Sequence, residues 1–187
     1  MLQEKESCMD KIKTGLAAFG MSGQVFHAPF ISTNPHFELT AITERSKELS
    51  KMKYPQSRIV RSFEELIGME ELELVVVNTP DSSHYEYARR ALEAGKHVIV
   101  EKPLAPTAAQ TEELVNLARH KKVFLFEAVT TQYLENYAKI RELLPRIGTV
   151  KLVQCNFSQY SSRYDAFCAG DVQPAFCLLY TSPSPRD

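Results

Sequence analysis

The sequence predicts an α/β fold: a doubly wound parallel sheet, followed by the start of an α+β domain that the chain does not complete. Three observations carry that expectation. Short runs such as Leu74-Val75-Val76-Val77 and Val98-Ile99-Val100 have the uninterrupted apolar character of strands buried on both faces. Helical patterns with starts and stops lie between them, as in Ser83 to Ala94, closed by Gly95. Strands alternating with helices in this way imply right-handed βαβ units. A glycine-bearing turn, Ala18-Phe19-Gly20-Met21-Ser22-Gly23, sits between the first strand and the first helix.

Each element follows in order. Ile12 to Ala18 reads as the first strand and Met21 to Ile31 as a turn leading into a helix. Phe37 to Thr43 alternates and ends in Glu44, giving a second strand; Ser46 to Met52 reads as a short helix and Ile59-Val60 as a third strand. Ser62 and Glu65 form a capping box for a helix to Ile67, and Leu74 to Asn78 is the fourth strand. After the helix Ser83 to Ala94 comes the fifth strand, Val98 to Val100. Thr107 and Gln110 cap a helix running to about His120, and Val123 to Phe126 is the sixth strand. Tyr133 to Leu144 reads as a helix stopped by Pro145 and Gly148. Val150 to Phe157 then alternates apolar and polar, as a strand with one wet face does.

These boundaries divide the chain into an extension (1–11), a sheet domain (12–131), the opening of a second domain (132–176) and a tail (177–187). Met9 is a candidate natural start. The tail, Cys177 to Asp187, breaks from the preceding style and back-translates into a transposase-type sequencing adapter; the alternative is a genuine Ser/Pro-rich tail. On the adapter reading the chain is truncated.

Composition narrows the class of protein. With 187 residues, 44% hydrophobic, and a net charge of -1, the chain has the balance of an ordinary globular protein and no basic stripe for nucleic acid. No apolar run approaches membrane-spanning length. Cys8, Cys155, Cys168 and Cys177 show no metal-ligand or CxxC spacing, which points to reduced thiols in a cytoplasmic protein with no metal site.

The chemistry-bearing residues gather at successive strand ends, the edge where open α/β sheets bind ligands. The first turn is a G-x-G-x-x-G fingerprint with Ala18 in place of the first glycine. Gly20 would admit a pyrophosphate, Gly23 would let the helix pack closely, and the Phe19 to Gly23 backbone with the helix N-terminus would supply donors. Glu44 ends the second strand where an acid would bond the adenosine ribose; a solvated carboxylate is the plainer alternative. Arg45 and Ser46 follow and could hold a 2′-phosphate, so the expected cofactor is NAD or NADP, with NAD modestly preferred. Asn78, Thr79, Pro80 and His84 form a tight turn lining the same edge, with a turn-satisfying structural role favoured for His84. Glu101 and Lys102 end the fifth strand, where a rigid strand would aim a charge for chemistry; a solvated loop lysine is the alternative.

Glu101-Lys102-Pro103, preceded by Ala94-Gly95-Lys96-His97-Val98 and combined with Thr79-Pro80 and His84, resembles the Gfo/Idh/MocA oxidoreductases, whose nucleotide domain is a Rossmann fold. Gly20 to Pro29 is similar to a bacterial subgroup, reading GxSGxxFHAP here. Glu127-Ala128 through Gln132-Tyr133 is similar to the family segment near the nicotinamide, which implies Gln132 as a cofactor contact. The resemblance implies an NAD(P)-dependent dehydrogenase of sugars, polyols or similar hydroxyl compounds. In it Lys102, desolvated, reaches the nicotinamide ribose and the reacting substrate oxygen. It also implies a small-molecule substrate and a homo-oligomer at full length. The family's further proton-transfer residues, an aspartate and a histidine, come from a later helix absent from this chain. A non-catalytic dinucleotide-binding regulator of the same fold is the alternative, and Lys102 favours the enzyme.

Overall fold

The computed structural model describes residues 10–154 together with Asn156 and Ala169, so the tail and most of the extension lie outside the described residues. The chain divides into two compact units, Met1–Ala128 and Val129–Asp187.

The first unit is built on strands β1 (Ile12–Leu16), β2 (Phe37–Thr43), β3 (Arg58–Val60), β4 (Leu74–Val77), β5 (His97–Val100) and β6 (Leu125–Glu127). They form one sheet in the order β3-β2-β1-β4-β5-β6, and every neighbouring pair is parallel. This is the doubly wound order of a Rossmann sheet, with its switch point between β1 and β4. The β-branched residues of β4 explain its central place. Val75 and Val77 enter one hydrophobic cluster and Val76 enters another, as the two-residue period of a strand requires. The first cluster includes Leu66 of α2 (Phe63–Ile67), Leu92 of α3 (His84–Glu93) and Leu114 of α4 (Ala108–Lys121). The second gathers Leu16, Phe19, Ile42 and Ala28, the last at the start of α1 (Ala28–Thr33). Helices therefore cover both faces, and each fully buried large aliphatic side chain adds roughly 1.5–3 kcal/mol.

Local signals set the element ends. The Ser62 and Thr107 side chains accept hydrogen bonds from the backbone N–H of Glu65 and Gln110, as expected of their capping boxes. Gly95 follows α3 at φ +76, a left-handed conformation that stops the helix at little cost. At the far end of β5 from the ligand edge, Lys96 is buried and its ammonium donates to the carbonyls of Met69 and Leu72, each at 2.7 Å. Burial pushes its pKa down, against the opposing pull of Glu71 and Glu70. That lysine locks the loop before β4.

Three expectations need correction. The segment from Ser46 to Met52 is a series of turns, not a helix, because the Glu44 carboxylate takes the N–H groups of Leu49 and Ser50. Side-chain acceptors compete in this way with helical bonding. The sixth strand begins at Leu125, two residues later than expected. In the second unit, α5 (Glu135–Leu143) appears as expected, but residues 150–154 form no strand; Cys155 and Phe157 lie outside the described residues.

The helix after β1 opens with a π-helical turn, Gly23–His27, before α1. Its signature is the Ala28 N–H bonding to the carbonyl of Gly23, five residues back. Pro29 follows directly; its ring crowds the carbonyl of Val25, four residues back, and it has no N–H to give that carbonyl. Gly23 is packed so closely that a Cβ there would lie 2.6 Å from the Ala18 carbonyl oxygen and 2.7 Å from Asn78 Nδ2. Gly23→Ala is therefore expected to destabilise the fold by about 1–3 kcal/mol, as overpacking does. Urea unfolding checks it; an unchanged midpoint would show that helix and strand can part freely.

Candidate functional site

The carboxyl ends of β1, β2, β4 and β5 meet at one edge. The first loop is held from beneath by Asn78. Its Oδ1 accepts from the Ala18 N–H at 3.0 Å and its Nδ2 donates to the Ala18 carbonyl at 2.8 Å. Both amide groups are committed and the residue is buried, so Asn78 shapes the loop instead of presenting its side chain to a ligand. Lys122 is the one non-glycine residue with positive φ among those described, so Ala18 fills the first glycine position without strain. Gly20 is the converse of Gly23: a Cβ added there would meet nothing within 4 Å. That open cradle beside the start of a helix suits a pyrophosphate. Phe19 contributes backbone only. Its ring is buried in the core, edge-on to Tyr54, and its carbonyl accepts from Gln24 Nε2. Met21 is exposed and is not a wall of the cleft that opens beside this loop.

That cleft has a volume of about 750 Å³ and runs from Phe19 and Gly20 past Thr79 and Pro80 to Arg45, Ser46 and Lys47. Its size suits a nucleotide. Glu44 stands at the predicted strand end, but its carboxylate is turned into its own loop. It accepts from the N–H groups of Leu49 and Ser50 at 2.9 Å and from the Ser50 hydroxyl. Glu44 is 6% exposed, so the oxygens expected at a ribose are already engaged. Arg61 Nη1 donates to the carbonyls of Glu44 at 3.0 Å and Lys47 at 2.8 Å, and Nη2 pairs with Glu48, bracing the loop from outside. Arg45 and Lys47 are left exposed, with neither hydrogen bond nor ion pair for their side chains among the described residues. Two free cations at the end of the cleft suit an anionic group there.

At the other side of the edge, Ser22 Oγ donates to Glu101 Oε1 at 2.9 Å and His27 Nε2 donates to the same oxygen at 2.8 Å. The Lys102 N–H points to Glu101 Oε2 at 3.3 Å. The His27 hydrogen bond, aided by Ser22 and opposed by burial, holds the Glu101 carboxyl down at about 2. Because this lies below the ordinary 4.5, ionised Glu101 stabilises the fold above about pH 4.5, and that contribution is lost as pH falls toward 2. Urea unfolding against pH should therefore show the advantage of wild type over Glu101→Gln shrinking across that acid window. A constant difference would mean that the charge of Glu101 is immaterial.

Lys102 itself is exposed, where desolvation was expected, and its ammonium has no partner among the described residues. The strand end aims it outward without enclosing it. The residues after it are anchored: the Leu104 N–H donates to Glu127 Oε1 at 2.9 Å. His84 is buried, with Nδ1 2.7 Å from the Pro103 carbonyl oxygen and Nε2 2.9 Å from that of Thr79. Its ring spans two loops, which is the structural role favoured for it. Gln132 lies in the second unit, in the turn Thr130–Tyr133. No group of three or more metal-ligating side chains occurs among the described residues, and none of their helices is long and apolar enough to cross a membrane.

The edge thus joins a six-stranded Rossmann sheet, a phosphate-type loop at β1 and a nucleotide-sized cleft, which defines a dinucleotide-binding domain. The oxidoreductase family with an NAD-binding Rossmann fold, Gfo/Idh/MocA, matches residues 12–129, and the chain belongs to that family. Among its relatives are two Bacillus subtilis proteins, the scyllo-inositol 2-dehydrogenases (NADP(+)) IolW and IolU. IolW is 30% identical over 84% of this chain and 45% of its own length; IolU is 36% identical over 75% and 44%. The chain therefore spans under half the length of these curated relatives. A crystal structure from Bacteroides fragilis NCTC 9343, provisionally described as an oxidoreductase, is 59% identical over 74% of this chain and 41% of its own, with a TM-score of 0.68. KijD10, a 3-ketoreductase from Actinomadura kijaniata crystallised with NADP and TDP-benzene, is 27% identical over 73% of this chain and 43% of its own, with a TM-score of 0.69.

Proposed function

We propose that the protein is an NADP-dependent oxidoreductase acting on a hydroxyl or carbonyl carbon of a sugar, polyol or related compound. The observation that carries the reading is the placing of Lys102, an unpartnered ammonium, at the same sheet edge as the Gly20 cradle. The bound nicotinamide would supply hydride transfer. The chain's own residues bind, orient and move the proton. The Phe19 to Gly23 backbone takes the pyrophosphate, Thr79 and Pro80 line the cleft, and Lys102 shares the proton of the substrate oxygen as its carbon gains or loses hydride. The NADP(+) and scyllo-inositol of the two Bacillus subtilis dehydrogenase relatives support this reading. Incubating the complete protein with NADP and a panel of polyols and sugars tests it. The absorbance of reduced nicotinamide should appear with at least one of them, and none with any would refute the reading.

The preference for NADP replaces the NAD preference expected from Glu44. With the Glu44 carboxylate engaged by Leu49 and Ser50, the free groups at that end of the cleft are Arg45, Ser46 and Lys47. An arginine there offers a fork to a 2′-phosphate. Arg45→Ala should weaken NADP binding roughly tenfold to a hundredfold, the worth of a charge-assisted hydrogen bond, and leave NAD almost unchanged. Parallel titrations check this, and equal losses for both cofactors would remove Arg45 from the discrimination.

A further inference from the structure

We propose that Ser22 and His27, acting through Glu101, are positioning residues that fix the direction of Lys102. The inference rests on the reading of Lys102 as the proton-transfer group. Three features of the structure support it.

The first is convergence. Ser22 and His27 lie 79 and 74 residues from Glu101 in the chain, yet both donate to Glu101 Oε1. Local geometry does not produce such a pairing; it joins the phosphate-loop helix to the end of β5. The second is the π-helical turn. In an α-helix, residues five apart point well away from one another, because a turn takes 3.6 residues. A turn closed by bonds five residues back brings them to one side. Gly23–His27 has that geometry, so Ser22 and His27 meet at one oxygen. The third is the division of labour on Glu101. One carboxylate oxygen takes both side-chain donors while Oε2 faces the Lys102 N–H. The backbone of Lys102 is thereby tied to the helix that follows the phosphate loop, so the aim of the ammonium depends on that helix.

An ionised carboxylate only accepts, so His27 supplies its Nε2 proton as a donor and need not transfer it. The test follows from that distinction. In the complete protein, His27→Leu should lower kcat roughly tenfold, the scale of coupling between contacting residues, and change KM for the dinucleotide little. His27→Gln, which keeps an N–H donor and cannot act as a titrating base, should recover most of the loss. A double-mutant cycle supplies a readout that mere structural damage would not give: in a Lys102→Ala background, His27→Leu should cost nothing further. If the leucine variant does not fold, Ser22→Ala removes the other bond to the same oxygen and is read in the same cycle, with a smaller loss expected. Wild-type kcat in the readable variant would overturn the inference. So would an equal loss with and without Lys102, or a failure of His27→Gln to rescue a folded His27→Leu. Full turnover in Lys102→Ala alone would instead refute the assignment of Lys102, a result that differs from each of these.

Discussion

Replacing Lys102 by alanine should lower kcat by ~10²-fold or more in the complete protein, within the range of general acid–base groups, while dinucleotide affinity stays close to wild type. The structure supports the separation of these two effects. Lys102 is exposed at the end of β5, bonded through its backbone to Glu101, and no described side chain depends on its ammonium. Deleting the side chain should therefore leave the fold and the phosphate loop undisturbed. Lys102→Arg should not rescue, because a guanidinium does not give up its proton at working pH and has a planar, wider head. Steady-state kinetics with the preferred polyol or sugar decide the matter. A parallel loss in cofactor binding would make Lys102 a cofactor contact, and unchanged turnover would remove it from the chemistry.

The second large effect is expected at Gly20. Gly20→Asp should weaken dinucleotide binding by roughly a hundredfold or more, since like charges set against each other cost several kcal/mol. The thermal midpoint should hardly move, because a Cβ at this position meets no atom within 4 Å. Gly23 should show the opposite behaviour, with stability lost through its 2.6 Å approach to the Ala18 carbonyl. These two glycines stand three residues apart in one fingerprint and have different duties. Measuring binding and stability for both variants separates them. If Gly20→Asp binds normally, the pyrophosphate does not lie over the first turn.

Much of this arrangement was legible in the sequence. Val75 to Val77 and Val98 to Val100 declared themselves as central strands by β-branched runs, and Gly95 declared the end of α3; both signals are local. The strand ends carrying Gly20, Thr79 and Lys102 followed from those runs. What was hidden depends on side chains meeting across long stretches of chain. Nothing periodic marks Asn78 as the clamp on Ala18, 60 residues away. Glu44 was placed correctly at its strand end, but nothing in the sequence showed that its acceptors turn toward Leu49 and Ser50 and dissolve the helix expected there. His27 had a partial signal in the Phe26-His27-Ala28-Pro29 run, where proline after a small residue disturbs helical bonding. Its partner Glu101 could not be inferred without the β5–β4–β1 adjacency that brings the two ends together.

The measurement that bears most directly on the account is calorimetric titration of the complete protein with NADP and, separately, NAD. The account predicts saturable binding of one dinucleotide per chain, tighter for NADP than for NAD, and abolished or greatly weakened by Gly20→Asp in a protein that unfolds at the wild-type temperature. Absence of saturable heat with either dinucleotide at millimolar concentration, or full binding in Gly20→Asp, would contradict it.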